Sequence, residues 1–336
     1  MQKLFTLIFI FYTLQGLWGQ EAMRVERCTA IDPDLPVYNI YVDEENNKWV
    51  SNEAGLWEVH AADLATEVIV GSAETCLLNL PGGNADIRWL KGTLGEETKG
   101  AIGPDTRITA AYYNEIQDQL WIGTEYNGVF MFRTQPKLNW INEITRRMPK
   151  FRSEKINVIY IDPQEDRHVI GTDQGIVVGK GGRWGLEERY FRFEAIATNG
   201  SEVWLLAEDL LWVVDSEERW RSINLDLEKT EGNIKDIAFD KDGRLWFASQ
   251  LLTMWDVEND TYRIFDGAYY FTSNDVNCIA VDKKGAVWVG TQDKGLYLIE
   301  KESAMTVTAL PEKEVYCDPE VDDGALIVKI NGGQPP

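Results

Sequence analysis

The sequence predicts an all-β protein: a single β-propeller whose blades are four-stranded antiparallel sheets, seven blades in all, with six blades and an insertion as the alternative. Three observations predict it. A Trp-apolar-Gly-Thr motif recurs, clearest in Ala280–Leu296, Thr109–Val129 and Phe239–Leu252, and weaker in Tyr41–Leu56, Tyr160–Ile176 and Ala197–Leu211. The column Trp49, Trp121, Val169, Trp204, Trp246 and Trp288 is spaced by 72, 48, 35, 42 and 42 residues, a period near forty. Each copy follows a short apolar run and precedes a Gly-apolar pair, so the repeating unit is made of short strands. The 72-residue gap is nearly two periods; Ile87–Thr93 fits the same template and supplies Trp89 as a seventh member. The stretch Leu94–Thr106 does not read as strand, which keeps six blades open.

Within one unit each element has a physical reason. The apolar runs Ile234–Phe239 and Val276–Val281 suit buried inner strands. Asp240-Lys-Asp-Gly243 and Asp282-Lys-Lys-Gly285 are hairpin-turn chemistry, in which Gly supplies positive φ. The second strand carries the large Trp, which fills the space between neighbouring blades. The small pairs Gly123-Thr124, Gly171-Thr172 and Gly290-Thr291 allow close backbone approach, and a second Gly (Gly55, Gly128, Gly175, Gly295) opens the third strand. Fourth strands are variable: Glu67–Val70, Tyr190–Phe193, Arg219–Leu225 and Thr261–Phe265. Met305–Leu310 is expected as the strand that ends the final blade.

Residues 1–19 read as a secretory signal peptide: Lys3, then the eleven-residue apolar run Leu4–Leu14, too short to span a bilayer, with cleavage after Gly19. Residues 20–312 are then the propeller, with no transmembrane segment in the mature chain. Charge excludes some partners. Asp plus Glu number 55 against 33 Lys plus Arg, and loss of Lys3 takes the net charge from −22 to −23. So acidic a chain lacks the basic patch that nucleic acid or an anionic membrane requires. Export permits disulfides among Cys28, Cys76, Cys278 and Cys317, whose spacings match no zinc motif. Cys28 and Cys278 can meet if Arg24–Ala30 closes the last blade; a buried free thiol is the alternative for Cys278.

The repeat resembles the two-component-regulator propeller family over about residues 36–310, most specifically around Trp121 and Trp288. The resemblance implies the fold and an exported bacterial protein. Residues 313–336 change in composition. There Cys317, Asp323-Gly324, Ala325–Ile330 and Gly332-Gly333-Gln334-Pro335-Pro336 resemble the opening of the SprB-type repeat of gliding-motility adhesins. That resemblance implies a linker and the first strand of a truncated β-sandwich-like module, and a type IX secretion route.

No nucleophile–base constellation, His-Glu-x-x-His or phosphate-cradling loop is present, and the two His, His60 and His168, are isolated. No catalytic residue, metal site or cofactor is expected. Asp240-Lys-Asp-Gly243 lacks the remaining ligands of a calcium loop. The candidate ligand-binding residues are Glu53, Glu125, Asp173, Glu208 and Asp293, each four or five residues beyond the Trp column. Equal registers in equivalent blades fall at equivalent places, so these carboxylates are expected around one channel mouth, where they would attract a basic peptide or a divalent cation. An exposed hairpin loop must also simply be polar. The sequence is therefore read as a non-catalytic interaction module. It would be the N-terminal propeller of a large exported cell-surface adhesin, meeting protein or glycan at the cell surface and other components of a surface or secretion assembly. The alternative is a periplasmic ligand-sensing propeller of a two-component system.

Overall fold

The computed structural model describes most of residues 23–70, 108–141, 155–187 and 191–301, together with 306–311 and 326–331, apart from short segments between strands. Among these residues are six four-stranded sheets and one two-stranded sheet. After β1 (Met23–Arg27), the first blade comprises β2 (Val37–Val42), β3 (Lys48–Asn52), β4 (Gly55–Val59) and β5 (Thr66–Val70). The second comprises β6 (Ile108–Asn114), β7 (Gln119–Thr124), β8 (Val129–Arg133) and β9 (Asn139–Ile141). The third is β10 (Ile156–Asp162), β11 (Arg167–Thr172), β12 (Ile176–Lys180) and β13 (Arg183–Glu187). The fourth is β14 (Ala195–Thr198), β15 (Glu202–Ala207), β16 (Leu210–Asp215) and β17 (Trp220–Asn224), and the fifth is β18 (Asp236–Phe239), β19 (Arg244–Ala248), β20 (Leu252–Asp256) and β21 (Thr261–Phe265). The sixth contains β22 (Val276–Val281), β23 (Val287–Thr291) and β24 (Leu296–Lys301), with β1 as its outer strand. The Trp89 copy lies outside the described residues.

Two strand expectations are corrected: the outer strand of the third blade is β13 (Arg183–Glu187) and not Tyr190–Phe193, because the chain turns straight back after Ile176–Lys180, and the last blade is completed differently. Met305–Leu310 does not complete it; β25 (Thr306–Pro311) pairs instead with β26 (Leu326–Asn331) in the two-stranded sheet, and compact packing divides the chain near Ile299. The fourth strand of the blade comes from the N-terminal side, where the Cys28 N–H bonds to Leu296 O at 2.8 Å. Pairing the two ends of the domain in one sheet covers an edge that would otherwise be exposed. Cys28 and Cys278 lie in one apolar cluster, yet both are buried free thiols. Cys76 and Cys317 lie outside the described residues.

The repeat motif now has physical content. Trp49, Trp121, Val169, Trp204, Trp246 and Trp288 are all buried. Trp121 packs its ring 4.9 Å from His168 of the next blade, and Trp288 lies beneath Lys48 Nζ of the next blade, also at 4.9 Å. His168 and Lys48 each immediately precede the next member of the column, so one register repeats around the ring. Where a glycine stands two residues beyond the column, at Gly123, Gly171 and Gly290, the next blade leaves no room for a side chain. A Cβ on Gly123 would meet Ile156 at 2.6 Å, and one on Gly290 would meet Val37 at 2.5 Å. The threonine that follows clamps the turn: the Oγ1 atoms of Thr124, Thr172 and Thr291 donate to Gly128, Gly175 and Gly295 carbonyls at 2.8–2.9 Å.

The Asp-x-x-Gly turn does more than reverse the chain. Asp240 accepts from the N–H groups of Asp242 and Arg244, from Arg244 Nε at 2.7 Å and from Trp246 Nε1 at 2.9 Å. Both its oxygens are occupied by donors, which is hairpin chemistry and not calcium-loop chemistry.

Candidate functional site

Antiparallel pairing sets which end of the ring each loop occupies. The last residue of each second strand pairs with the first residues of the inner strand, as in Ile108↔Thr124, Ile156↔Thr172 and Val276↔Thr291. Inner strands run in one direction, because starts meet starts and ends meet ends. Thr109 Oγ1 donates to Ile156 O at 2.5 Å near the starts of β6 and β10, and Tyr112 Oη donates to Ile161 O at 3.0 Å near their ends. The turns between second and third strands therefore lie at the end where inner strands begin, here called the mouth.

Glu125, Asp173, Glu208 and Asp293 all occupy such turns, while Glu53 lies outside the described residues. Glu208 and Asp293 are exposed, and Glu125 and Asp173 are partly buried. Two of them have local partners at the inner-strand starts. Asp173 accepts from Asn157 Nδ2 at 2.8 Å and lies 3.7 Å from Arg192 Nε, and Asp293 accepts from Ser273 Oγ at 2.5 Å. Of the two His, His168 is buried against Trp121 and His60 lies outside the described residues.

What sequence reasoning missed is an inner ring. Register shifts at Val37/Asn39, Ile108/Ala110, Ile156/Val158 and Val276/Cys278 insert one extra residue at the start of four inner strands: Tyr38, Thr109, Asn157 and Asn277. In the other two, the Glu194 N–H bonds to Leu206 O, which already faces Ala195, and the Lys235 N–H bonds to Ala248 O, which already faces Asp236. Each blade thus carries a bulge at the mouth, and a bulge re-aims a side chain toward the channel or the next blade. Lys235 Nζ reaches across to Asp275 and to Asn277 Oδ1 at 2.7 Å. Asn277 Nδ2 continues to Val37 O at 3.1 Å and Gln292 Oε1 at 3.0 Å, so the fifth, sixth and first blades are joined by one polar chain. Two aromatics stand out of this face: Tyr126 is 68% exposed and Tyr270 82% exposed. Tyr270 is held at φ 60°, a conformation a bulky side chain seldom adopts. The sequence signal was a polar residue such as Thr109, Asn157, Glu194, Lys235 or Asn277, ten to twelve residues before the column, interrupting an apolar inner strand. It was hidden because a bulge shifts the two-residue alternation by one.

Below the mouth the channel holds a cavity of ≈ 500 Å³ lined by residues of all six inner strands. One register row lies at its upper edge: Asn39, Ala110, Val158, Ala195, Asp236 and Cys278, each opposite the residue two after the Trp column; of these, Asp236 lines the cavity. Asp236 accepts from the Ile237 N–H through Oδ1 and from the Ile279 N–H of the next blade through Oδ2, both at 2.9 Å. Burial outweighs these bonds and raises its carboxyl from 3.8 to about 7. Such an acid binds more protons folded than unfolded between pH 4 and 7, so its ionisation subtracts stability as pH rises through that window. Replacing Asp236 with Asn removes the charge and retains one acceptor. The variant is expected to be roughly 2 kcal/mol more stable than the parent at pH 8, the gain vanishing near pH 4. Urea denaturation of both proteins at the two pH values checks this.

Comparison with known proteins places this architecture. Residues 229–250 and 270–293 match the family described as two component regulator propeller. No curated protein sequence matches the chain. Among solved structures, the extracellular domain of the putative hybrid two component system BT4673 from B. thetaiotaomicron superposes with a TM-score of 0.60 at 16% identity, covering 85% of this chain and 41% of that one. The corresponding domain of BT3049 from the same organism gives 0.51 at 15% identity, covering 87% of this chain and 38% of that one. A streptogramin B lyase gives 0.56 at 10% identity, covering 83% of this chain and 98% of that one. At these identities the likeness is one of fold. The chain spans about two fifths of the length of the two-component relatives it matches.

Proposed function

We propose that the chain is a non-catalytic recognition module working outside the cytoplasm, a ligand-sensing propeller of the kind carried by two-component systems. The observation that supports this most is the match of residues 229–250 and 270–293 to the regulator-propeller family, with extracellular domains of putative hybrid two component systems among the structural neighbours. The mouth is the recognition surface. It presents carboxylates, the ammonium of Lys235, amides and two exposed tyrosines on one face, a mixture suited to an extended partner such as a protein segment or a glycan. A second reading, a surface adhesin, draws on the resemblance of Cys317–Pro336 to a gliding-adhesin repeat. No catalytic group, metal or cofactor enters either reading.

Binding of the purified protein to an oligosaccharide array and a basic-peptide array tests the site. The double variant Asp173→Lys/Asp293→Lys is expected to lose the retained ligand more than tenfold. Its melting temperature should stay within about 2 °C, since exposed ion pairs contribute little to stability. For a basic ligand the affinity should also fall with added salt. Unchanged binding by the double variant would move recognition to the outer blade edges. Labelling of intact cells with a membrane-impermeant reagent separates the readings: a labelled protein is a surface adhesin, an unlabelled one a periplasmic sensor.

A further inference from the structure

Hydrogen-bond parity decides which backbone groups face the channel. The N–H groups of Asp240 and Asp282 donate back into their own hairpins, to Arg244 O at 3.0 Å and Ala286 O at 2.9 Å. Residues of the opposite parity, Ile237 and Phe239 on β18 and Ile279 and Val281 on β22, therefore turn N–H and C=O together toward the channel. All four line the cavity. At the Asp236 level three of the inward N–H groups are already satisfied. Asn39 Oδ1 accepts from Ile40 N–H at 2.7 Å, and the two Asp236 oxygens accept from Ile237 and Ile279. What remains on the side of Asp236 is acceptor capacity: the carbonyls of Ile40, Ile237 and Ile279, and the second lone pair of each Asp236 oxygen. Around it lie the apolar side chains of Ile40, Val42, Ile196 and Val281, with Asn114 and Thr198 elsewhere in the lining, and among the described residues Asp236 is the one acidic side chain lining the cavity. A volume of ≈ 500 Å³ lies within the range of small-molecule sites.

We propose that this cavity binds a small organic ammonium ion, its N–H donors taken by the Asp236 carboxylate and the inward carbonyls of Ile237 and Ile279, its alkyl body against the apolar wall. A carboxylate without a counter-ion is costly in such surroundings, and an ammonium guest relieves that cost. An anion beside Asp236 finds the N–H groups of Ile237 and Ile279 already occupied by that carboxylate. The site is separate from the mouth and goes beyond the sensing reading, standing whether or not that reading holds.

The charged and titratable groups nearest Asp236 are known. Lys235 precedes it and directs its ammonium to Asp275 and Asn277; Cys278 on β22 has its thiol pushed up by burial and then by the Asp236 charge. Glu194, at the start of the neighbouring β14, is paired with Arg192 at 3.2 Å. Tyr41, Tyr112 and Tyr160 line the same cavity. At its far end a smaller space of ≈ 360 Å³ is lined by Lys241, whose ammonium bonds to the Lys283 carbonyl.

Calorimetry and saturation-transfer NMR on the full chain, with butylammonium as probe and butanol and butyrate as controls, test the proposal. Butylammonium is expected to bind at pH 8 at least tenfold more tightly than either control. Because the Asp236 carboxyl titrates at about 7, the affinity should drop about tenfold by pH 6. Asp236→Asn, checked for folding by its melting curve, should lose the preference for the ammonium, whereas Asp173→Lys/Asp293→Lys should change it less than about threefold. Equal binding of butanol, undiminished ammonium binding by Asp236→Asn, or no binding of butylammonium at millimolar concentration at pH 8 would each overturn it.

Discussion

Replacing Lys48 with Met should destabilise the propeller by about 3–5 kcal/mol, the range for removing one partner of a buried ion pair. Lys48 lies on β3 of the first blade, and its ammonium sits 2.9 Å from Asp282 Oδ2 at the end of β22 in the last; the side chains are 1% and 3% exposed. The ammonium also donates to Asn46 O at 2.8 Å and covers the Trp288 ring. Met matches the stem of Lys48 but leaves the Asp282 carboxylate buried without its cation. Burial is the largest influence on Asp282 and pushes its pKa up. The hydrogen bond and charge of Lys48, with the N–H bond from Ala286 and the one from Trp288, outweigh burial and hold it below 3.8. A depressed acid contributes stability above its unfolded pKa and loses it as pH falls through the folded value. The parent should therefore lose this contribution below about pH 4, and the gap between parent and Lys48→Met should narrow there. Because the pair joins the first blade to the last, amide exchange should quicken first in β2, β3, β22 and β23. Uniform exchange with an unchanged melting temperature would refute that joining role.

Trp246→Ala is expected to cost about 3–5 kcal/mol as well, by a different mechanism. The side chain is fully buried and stacks on Phe265 with ring centroids 5.0 Å apart. Its Nε1 donates to Asp240 Oδ2, so truncation opens a cavity and removes one of the donors that neutralise a buried carboxylate. Trp246→Phe keeps most of the volume and loses only the donor, and should cost about 1–3 kcal/mol. Chemical denaturation of the two variants separates packing from hydrogen bonding. Equal losses would mean that the bond to Asp240, not the ring volume, holds the blade.

Much of this could be read before any coordinates. The Trp column, the Asp-x-x-Gly turns and the Gly-Thr pairs are local devices that each blade repeats. Local hydrogen bonds such as Thr124 Oγ1 to Gly128 O and Trp246 Nε1 to Asp240 span only four and six residues. A pattern of that range is written in contiguous sequence, and so are the turns that carry Glu125, Asp173, Glu208 and Asp293.

Other features exist only because residues far apart in the chain meet. The last blade is completed by β1 and not by Thr306–Pro311, a choice between two strands of similar character that pairing across the whole domain decides. Lys48 reads as a solvated charge beside a strand until Asp282, 234 residues later, is brought to 2.9 Å. Asp236 reads as an ordinary polar residue after Lys235, yet its carboxyl bonds across to Ile279 and loses water enough to titrate near neutrality. Sequence alone determined the blade, because a blade is stabilised by contacts within about forty residues. The completion of the last blade by β1, the bulged mouth and the acceptor-rich channel belong to the tertiary structure, because desolvation and inter-blade hydrogen bonds depend on neighbours that no local pattern encodes.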